Sequence, residues 1–524
     1  MKNNKFYILH FTFYIIFIPL CIILINSCTT EPQTGSLTGT VNLEGESDHS
    51  GITVGIYEQV VLDTTITRIN NQYPHIGIKI SQHTEFDHRF GTLVKTGETE
   101  ASGYFEIKDI PTGIYNVVAI KDGFGFRYIY EISISDGDNS LSNLMKQSPL
   151  NDWYEKNEGN FEMNSEECKM NNESLSSPHY SLYIIHSTLD SNNKECKTDL
   201  ILFPETIINA DITEATTFES FHHYIIEQDI IVDNELTIEP GAVVRLNQGK
   251  DITNYGIFNA VGDYEKFIWF TKNDGFSENL NTVEPDSNYI WDRITHEPYS
   301  QAEVQWCKFD WANIGMLNHL NGFEITDCIF RKSQCGFKAE DVDFTFCSNL
   351  LCEDITNESE GGIYCIQISN GIIEKNVINN CDHGMKIKDE SNPEVKNNYI
   401  IDCENGINVS YSSFPTIHNN EIEKCEISIN VPRYSEPYIE KNIINGNIGF
   451  QGNEHIIIST INIHYNNMNC FHYAIVLGHS HIVNAENNYF YTTDETEIKN
   501  LFFGEEINYI PFLYEENENA GIKK

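Results

Sequence analysis

The stretch Pro393-Glu394-Val395-Lys396-Asn397-Asn398-Tyr399-Ile400-Ile401-Asp402-Cys403 is answered 22 residues later by Pro415-Thr416-Ile417-His418-Asn419-Asn420-Glu421-Ile422-Glu423-Lys424-Cys425. The same beat runs through Ile373, Val395, Ile417 and Ile439, through Asn376, Asn398, Asn420 and Asn442, through Cys381, Cys403 and Cys425, and on to Pro437. After each cysteine, apolar residues alternate with polar ones: Met385 and Ile387, Ile407 and Val409, Ile429 and Val431. A period of two is strand spacing, not helix spacing.

A unit this short cannot bury its own apolar side chains and must stack on copies of itself, so the period predicts a solenoid. A leucine-rich repeat has a similar length and its own Asn ladder. Here, however, Pro-Glu, Pro-Thr and Pro-Tyr precede the apolar-x-x-Asn step in place of a Leu-x-Leu strand, and no 3.6-residue period fills the rest of the unit. The expected architecture is a parallel β-helix. Equivalent residues of successive coils then lie about 4.8 Å apart, so Ile and Val stack into core columns. The asparagines stack at a corner, where their amides bond one another and the turn backbone. Cys381, Cys403 and Cys425 are read as small buried hydrophobes. Cys307, Cys328 and Cys347, each three residues after an apolar residue, are read as continuing the Asn position.

The 14 cysteines include no Cys-x-x-Cys, which argues against a zinc cluster. Cys168 and Cys196 stand outside the coils and are disulfide candidates in an oxidising compartment. The chain opens with Lys2 and Lys5, an apolar run from Phe6 to Ile25, and Ile25-Asn26-Ser27-Cys28, the layout of an export signal over residues 1–28. Its last four residues resemble a bacterial lipobox. That resemblance implies lipid on Cys28 and a location in the cell envelope outside the inner membrane, on the outer membrane or cell surface. An uncleaved membrane anchor is the alternative reading of the same run. The 77 acidic and 33 basic residues leave a formal charge of -44, which repels nucleic acid and disfavours a polyanionic ligand unless a cation bridges the two. Solubility accounts for that charge equally well.

Residues 36–135 show short alternating stretches, such as Gly39-Thr40-Val41-Asn42-Leu43 and Ile52-Thr53-Val54-Gly55-Ile56-Tyr57, without a coil period. The segment Thr99-Glu100-Ala101-Ser102-Gly103-Tyr104-Phe105-Glu106-Ile107, followed by Ile110-Pro111-Thr112-Gly113-Ile114-Tyr115-Asn116-Val117, resembles the carboxypeptidase regulatory-like family, a small transthyretin-like β-sandwich. The resemblance implies a spacer or partner module with no catalytic residues. A long insertion between Tyr57 and Thr96 departs from it. Within that insertion His83, Glu85 and Asp87 alternate as three potential metal ligands, against the simpler reading of a hydrated polar loop. Residues 136–206 read as a connector, and residues 514–524 as a polar tail.

Leu236-Thr237-Ile238-Glu239-Pro240-Gly241-Ala242-Val243-Val244-Arg245-Leu246, with Gly256-Ile257-Phe258-Asn259-Ala260-Val261-Gly262, resembles the early coils of secreted, pectate-lyase-like right-handed parallel β-helix proteins. Asn487-Asn488-Tyr489-Phe490-Tyr491 resembles their closing segment, with Phe490-Tyr491 where a Trp-Gly pair is usual. The similarity spans residues 207–513, or about 13 or 14 coils at this period. The expected fold is all-β: an N-terminal transthyretin-like β-sandwich followed by a right-handed parallel β-helix solenoid.

Many proteins of that group cleave polysaccharides. Lyases of this shape hold calcium on carboxylates and use an Arg or Lys base, and hydrolases use paired carboxylates. The candidates are Glu353 and Asp354, in an excursion reaching Gly362, and a mixed polar groove of Asp382, His383, Lys386, Lys388, Arg433 and Tyr434. The outward positions Lys386, Lys388, Asn408, Ser410 and Asn430 offer no acidic column. His479 and His481 share a strand face and are metal candidates only if a third ligand joins them. No Gly-x-Ser-x-Gly, P-loop or His-Glu-x-x-His occurs. Tyr411, Phe414 and Tyr434 form a flank suited to sugar stacking. The expectation is a non-catalytic envelope lipoprotein whose β-helix binds a glycan or a surface protein. The membrane contact is an N-terminal lipid, nucleic acid is not a partner, and no cofactor is needed. The alternatives are a polysaccharide lyase, with calcium, or a glycoside hydrolase, and a purely structural envelope rod.

Overall fold

From Thr206 to Asn508 short strands recur on three faces of each turn, every one parallel to its counterpart in the next turn. A computed structural model describes residues 33–145, 200–273, 290–357, 359–452, 459–478, 481–504 and 506–523. Cys28, Cys168, Cys196, His479 and the His481 side chain lie outside it. No described helix is long and apolar enough to cross a membrane.

One face holds twelve strands, from Thr206–Ile208 to Asn467–Met468, so the solenoid has about twelve turns instead of the 13 or 14 expected. Excursions take up part of the difference: Ile268 pairs with Cys307, well over one period on, and Leu350 meets Asn376, 26 residues on. Inside, Val395, Ile417 and Ile439 stack in register and are fully buried, each contributing roughly 1.5 to 3 kcal/mol of transfer free energy. Phe270, Phe309 and Phe330 lie nearly parallel, with ring centres 5.0 and 4.8 Å apart, the inter-strand spacing itself.

The asparagines form the corner ladder expected of them. Nδ2 of Asn376, Asn398, Asn420 and Asn442 each donates to Oδ1 of the next asparagine at 2.9–3.0 Å. The same oxygens also accept the backbone N–H of the asparagine before. The ladder continues to Asn466 and Asn488. In the residue before each ladder position, Lys375, Asn397, Asn419, Lys441, Tyr465 or Asn487, the backbone takes the left-handed conformation that turns the corner. Cys328 stacks beneath this column next to Cys307, but Cys347 does not belong to it. Cys347 pairs with Ile325 and Ile373 in the apolar core, and Leu350 takes the ladder place, its N–H donating to Asn376 Oδ1. The reason is the left-handed Asn349, which sets the corner three residues later than the cysteine spacing suggests. All ten described cysteines are free.

The N-terminal strands form two sandwich-like sheets. Thr34–Leu43 lies between Tyr104–Pro111 and Gly137–Ser140, with Leu200–Leu202 also paired to it; the second sheet runs Leu93–Glu98, Thr53–Glu58, Gly113–Lys121, Gly125–Ile134. By compactness the chain divides in two. The described residues of Met1–Ile52, Gly97–Gly113 and Ile132–Ile201 make one unit, and those of Thr53–Thr96, Ile114–Glu131 and Leu202–Lys524 the other, which includes the solenoid.

The insertion after Tyr57 therefore belongs with the solenoid, and it is not a hydrated loop. Asp63 accepts from the N–H groups of Thr65 and Ile66 and starts a helix, Thr64–Gln72. Its buried side, Ile66 and Ile69, continues with Tyr73, Ile76, Ile78 and Ile80 into a cluster with Ile329, Leu351, Val377 and Tyr399 on the outer side of the twelve-strand face. Nor do His83, Glu85 and Asp87 alternate on a strand. Gln82–Glu85 is a short helix. There His83 stacks on Tyr130 at 4.2 Å, Glu85 pairs with Arg331 at 2.5 Å, and Asp87 pairs with Arg89 at 2.7 Å. The C-terminal residues join the same face: Ile522 is buried in the cluster and Gly521 N–H donates to Lys441 O.

Candidate binding face

Three successive strands, His383–Lys388, Asn405–Ser410 and Ile427–Arg433, stack so that Lys386, Asn408 and Asn430 share one column, while Lys388, Ser410 and Arg433 share the next; Asn408, Ser410 and Asn430, expected to face outward, are buried. Each strand runs into a tight turn. Asp389 and Glu390, Tyr411 and Ser412, and Tyr434 adopt the left-handed backbone conformation there. Side chains accept this strain when the surroundings fix the turn, and a second internal ladder does so. Ser391 N–H donates to Ser413 Oγ at 3.2 Å and Ser413 N–H to Ser435 Oγ at 3.1 Å. The hydroxyls in turn donate to the carbonyls of Lys388, Ser410 and Arg433. Ser391, Ser413 and Ser435 repeat on the 22-residue beat, a signal present in the sequence and not read from it.

The serine ladder holds Tyr411, Phe414 and Tyr434 on one corner over consecutive coils, with 37, 51 and 40% of their surfaces exposed. Phe414 is further fixed by its N–H, which donates to Asn392 Oδ1. Tyr411 is flanked by cations: Lys388 Nζ lies 5.3 Å and the Arg433 guanidinium 5.1 Å from its ring centre, and Arg433 Nη1 donates to the Tyr411 hydroxyl. Lys388 also pairs with Asp389 at 3.2 Å.

One column along, Tyr364 lies between Lys338 and Lys386, 5.1 and 5.5 Å from its ring centre, and packs with Ile314, Leu317, Cys335 and Ile366. Lys386 Nζ donates to Ser359 O at 2.7 Å, so the excursion that ends at Gly362 returns to this face. Burial lowers the Lys386 ammonium, against the charge of Glu360, and burial together with Glu360 raises the Tyr364 hydroxyl. Neither Tyr364 nor Glu360 stood out in the sequence: Glu360 lies in the excursion, and Tyr364, although in register with Lys386 one coil on, has no tyrosine at the matching places of the following coils.

The two ends of the excursion separate. Glu353 lies on the twelve-strand face, paired with Arg331 at 3.1 Å and accepting from Asn379 at 3.0 Å, while Asp354 accepts from Asn380. Burial raises the Glu353 carboxyl and Arg331 opposes the shift. The structure thus gives Glu353 to the dock of the insertion and does not bring it to Lys386. Asp382 and His383 are half-buried at the start of the Lys386 strand. Among the described residues no group of three His, Cys, Asp or Glu is placed to hold a metal. The face offers aromatic surface and fixed cations, a set suited to holding a polymer.

No curated protein matches the chain. Among solved structures, an N-terminal interface mutant of a type II cohesin–X-dockerin complex from Acetivibrio cellulolyticus matches at 23% identity over 20% of this chain and 51% of that one. The match thus spans about half the length of that chain, and the TM-score of 0.12 leaves it without weight for fold or function. Residues 313–452, which include the serine ladder and the aromatic corner, match the family model described as the right handed beta helix region, and the chain accordingly contains a right-handed parallel β-helix.

Proposed function

We propose that this protein is a non-catalytic, glycan-binding scaffold of the bacterial cell envelope, anchored by lipid on Cys28 and using the solenoid corner at Tyr411, Phe414 and Tyr434 as its contact surface. One observation carries the reading: three aromatic side chains sit on one corner of consecutive coils, exposed, with their turns fixed from inside by the Ser391–Ser413–Ser435 ladder. Solvent-facing aromatic rings on a rigid support can stack on sugar rings at little entropic cost. In this reading the N-terminal strands are a transthyretin-like spacer, the solenoid is of the pectate-lyase-like kind, and no cofactor takes part. The test is retardation of the detergent-solubilised full chain in gels containing neutral or acidic polysaccharides, with and without calcium. Retardation should weaken about three- to tenfold in F414A or Y434A. Equal retardation of wild type and the double variant would refute the corner as the site.

A second reading, a polysaccharide lyase, rests on Lys386. Burial lowers its ammonium although the charge of Glu360 opposes the shift, and its Nζ lies 5.5 Å from the Tyr364 ring centre; a lysine lowered in this way is suited to act as a base. New reducing ends that disappear in K386A would establish it. Neither retardation nor cleavage would leave the structural rod or a protein partner.

A further inference from the structure

We propose that the glycan held at this corner carries isolated acidic sugars, one carboxylate at a time being received by Arg433 and Lys388 beside Tyr411; this rests on the glycan-binding reading above. The chain carries -44 formal charges, a field that opposes a densely charged polymer within a Debye length of about 8 to 10 Å. At the Tyr411 ring itself two cations converge. The Arg433 guanidinium lies against the Tyr411 ring and bonds the Tyr411 hydroxyl, yet it has no carboxylate partner among the described residues. One of its five N–H donors is thus occupied, and the planar fork that remains suits a carboxylate. Lys388 approaches the same ring but is half-neutralised by Asp389 at 3.2 Å.

The acids of the corner set the limit. Asp389 and Glu390 lie on the turn one coil before Tyr411, where Glu390 N–H donates to Tyr411 O, and Glu436 lies on the turn of Tyr434. One carboxylate opposite Arg433 is offset by the guanidinium, but a row of them at the coil spacing of about 4.8 Å would meet Asp389 and Glu436. The neutral sugars on either side need only the surfaces of Phe414 and Tyr434.

The experiment compares the detergent-solubilised full chain on glucan, galactan, mannan and xylan. Each is offered neutral, sparsely carboxylated (about one unit in ten), and fully carboxylated, in calcium-free buffer at low and high salt. The sparsely carboxylated form of the bound backbone should be retained about five- to tenfold better than the neutral form, and the fully carboxylated form no better than the neutral one. The advantage should vanish at high salt and in R433Q, persist in part in Y411F, and leave the melting temperature of both variants unchanged. Equal retention of neutral and sparsely carboxylated forms, or an advantage that survives in R433Q, would overturn the carboxylate site. Preference for the fully charged polymer would overturn the isolated-acid specificity while keeping the glycan reading. Failure of all forms to bind would overturn both.

Discussion

Asn420 shows how much one side chain does in a repeat. Its Oδ1 accepts from both N–H and Nδ2 of Asn398, its own Nδ2 donates to Val395 O and Asn442 Oδ1, and none of it is exposed. Asn420→Ala strands those buried partners and should cost about 3 kcal/mol or more in urea unfolding. Glu404→Ala, on the exposed side of the neighbouring turn, should stay within about 0.5 kcal/mol. The ladder from Asn376 to Asn442 was legible because its spacing never slips. Asn466 was not, because it stands 24 residues on; the serines keep the same beat but were not read, because three polar residues in a turn carry no apolar pattern to mark them. A second residue-level effect concerns pH. Burial holds His88 neutral, down to about 4, and His296, down to about 3, with His223 shifted the same way by burial and Arg245. Depressed histidines contribute stability that is fully present above about pH 6.5 and is lost as pH falls toward the folded values, about 1.4 kcal/mol per group per pH unit. The melting temperature should therefore fall between pH 7 and 5, and less steeply in H296N; a flat profile would contradict the burial of these rings.

At the scale of elements, the insertion is held by charge as much as by apolar contact. Asp310, Arg331, Glu353 and Asn379 follow one another in register along the outer side of the twelve-strand face, and Glu85 of the insertion joins Arg331. Arg89 donates to Thr271 two coils away from that pair and stacks over Trp269. Gly77, at φ +63, donates to Lys375 O and approaches so closely that a Cβ would lie 2.5 Å from Val377. Arg331→Ala leaves two buried carboxylates facing each other and should cost about 3 to 5 kcal/mol. Hydrogen exchange should speed up over residues 58–92 while the Asn376–Asn442 coils stay protected. Uniform loss of protection would mean that the insertion is not a separate layer. The dock could not be read in advance, since its two halves lie some 250 residues apart, as Arg331 and Thr84 do, and local pattern carries no trace of such a pairing. Glu353 drew notice because the segment that covers its partner Arg331, through Glu85, lies far off in the sequence; Arg331 itself stands one repeat before Glu353.

At the scale of the molecule, the core cysteines make a set of internal reporters. Cys328, Cys352, Cys381 and Cys403 belong to coils whose outer side the insertion covers, whereas Cys470 lies beyond them and is less buried. In a solenoid, where stability is a sum over neighbours, pulse labelling with a thiol reagent in rising urea should reach Cys470 first and the covered group together, at higher denaturant. His75 of the insertion also meets the carbonyl of Lys523. Residues near the start of this unit meet residues that follow every coil in the sequence, over the same coils, so the stack is latched by an element that comes after the coils it covers. Every coil can be wound while the latch is still open. A polypeptide cut short before Asn519 would keep its ladders, but it would lack the Asn419 bonds to Asn519 and Gly521 and the buried Ile522, so proteases should find residues 58–92 on the shortened chain long before they find them on the whole one.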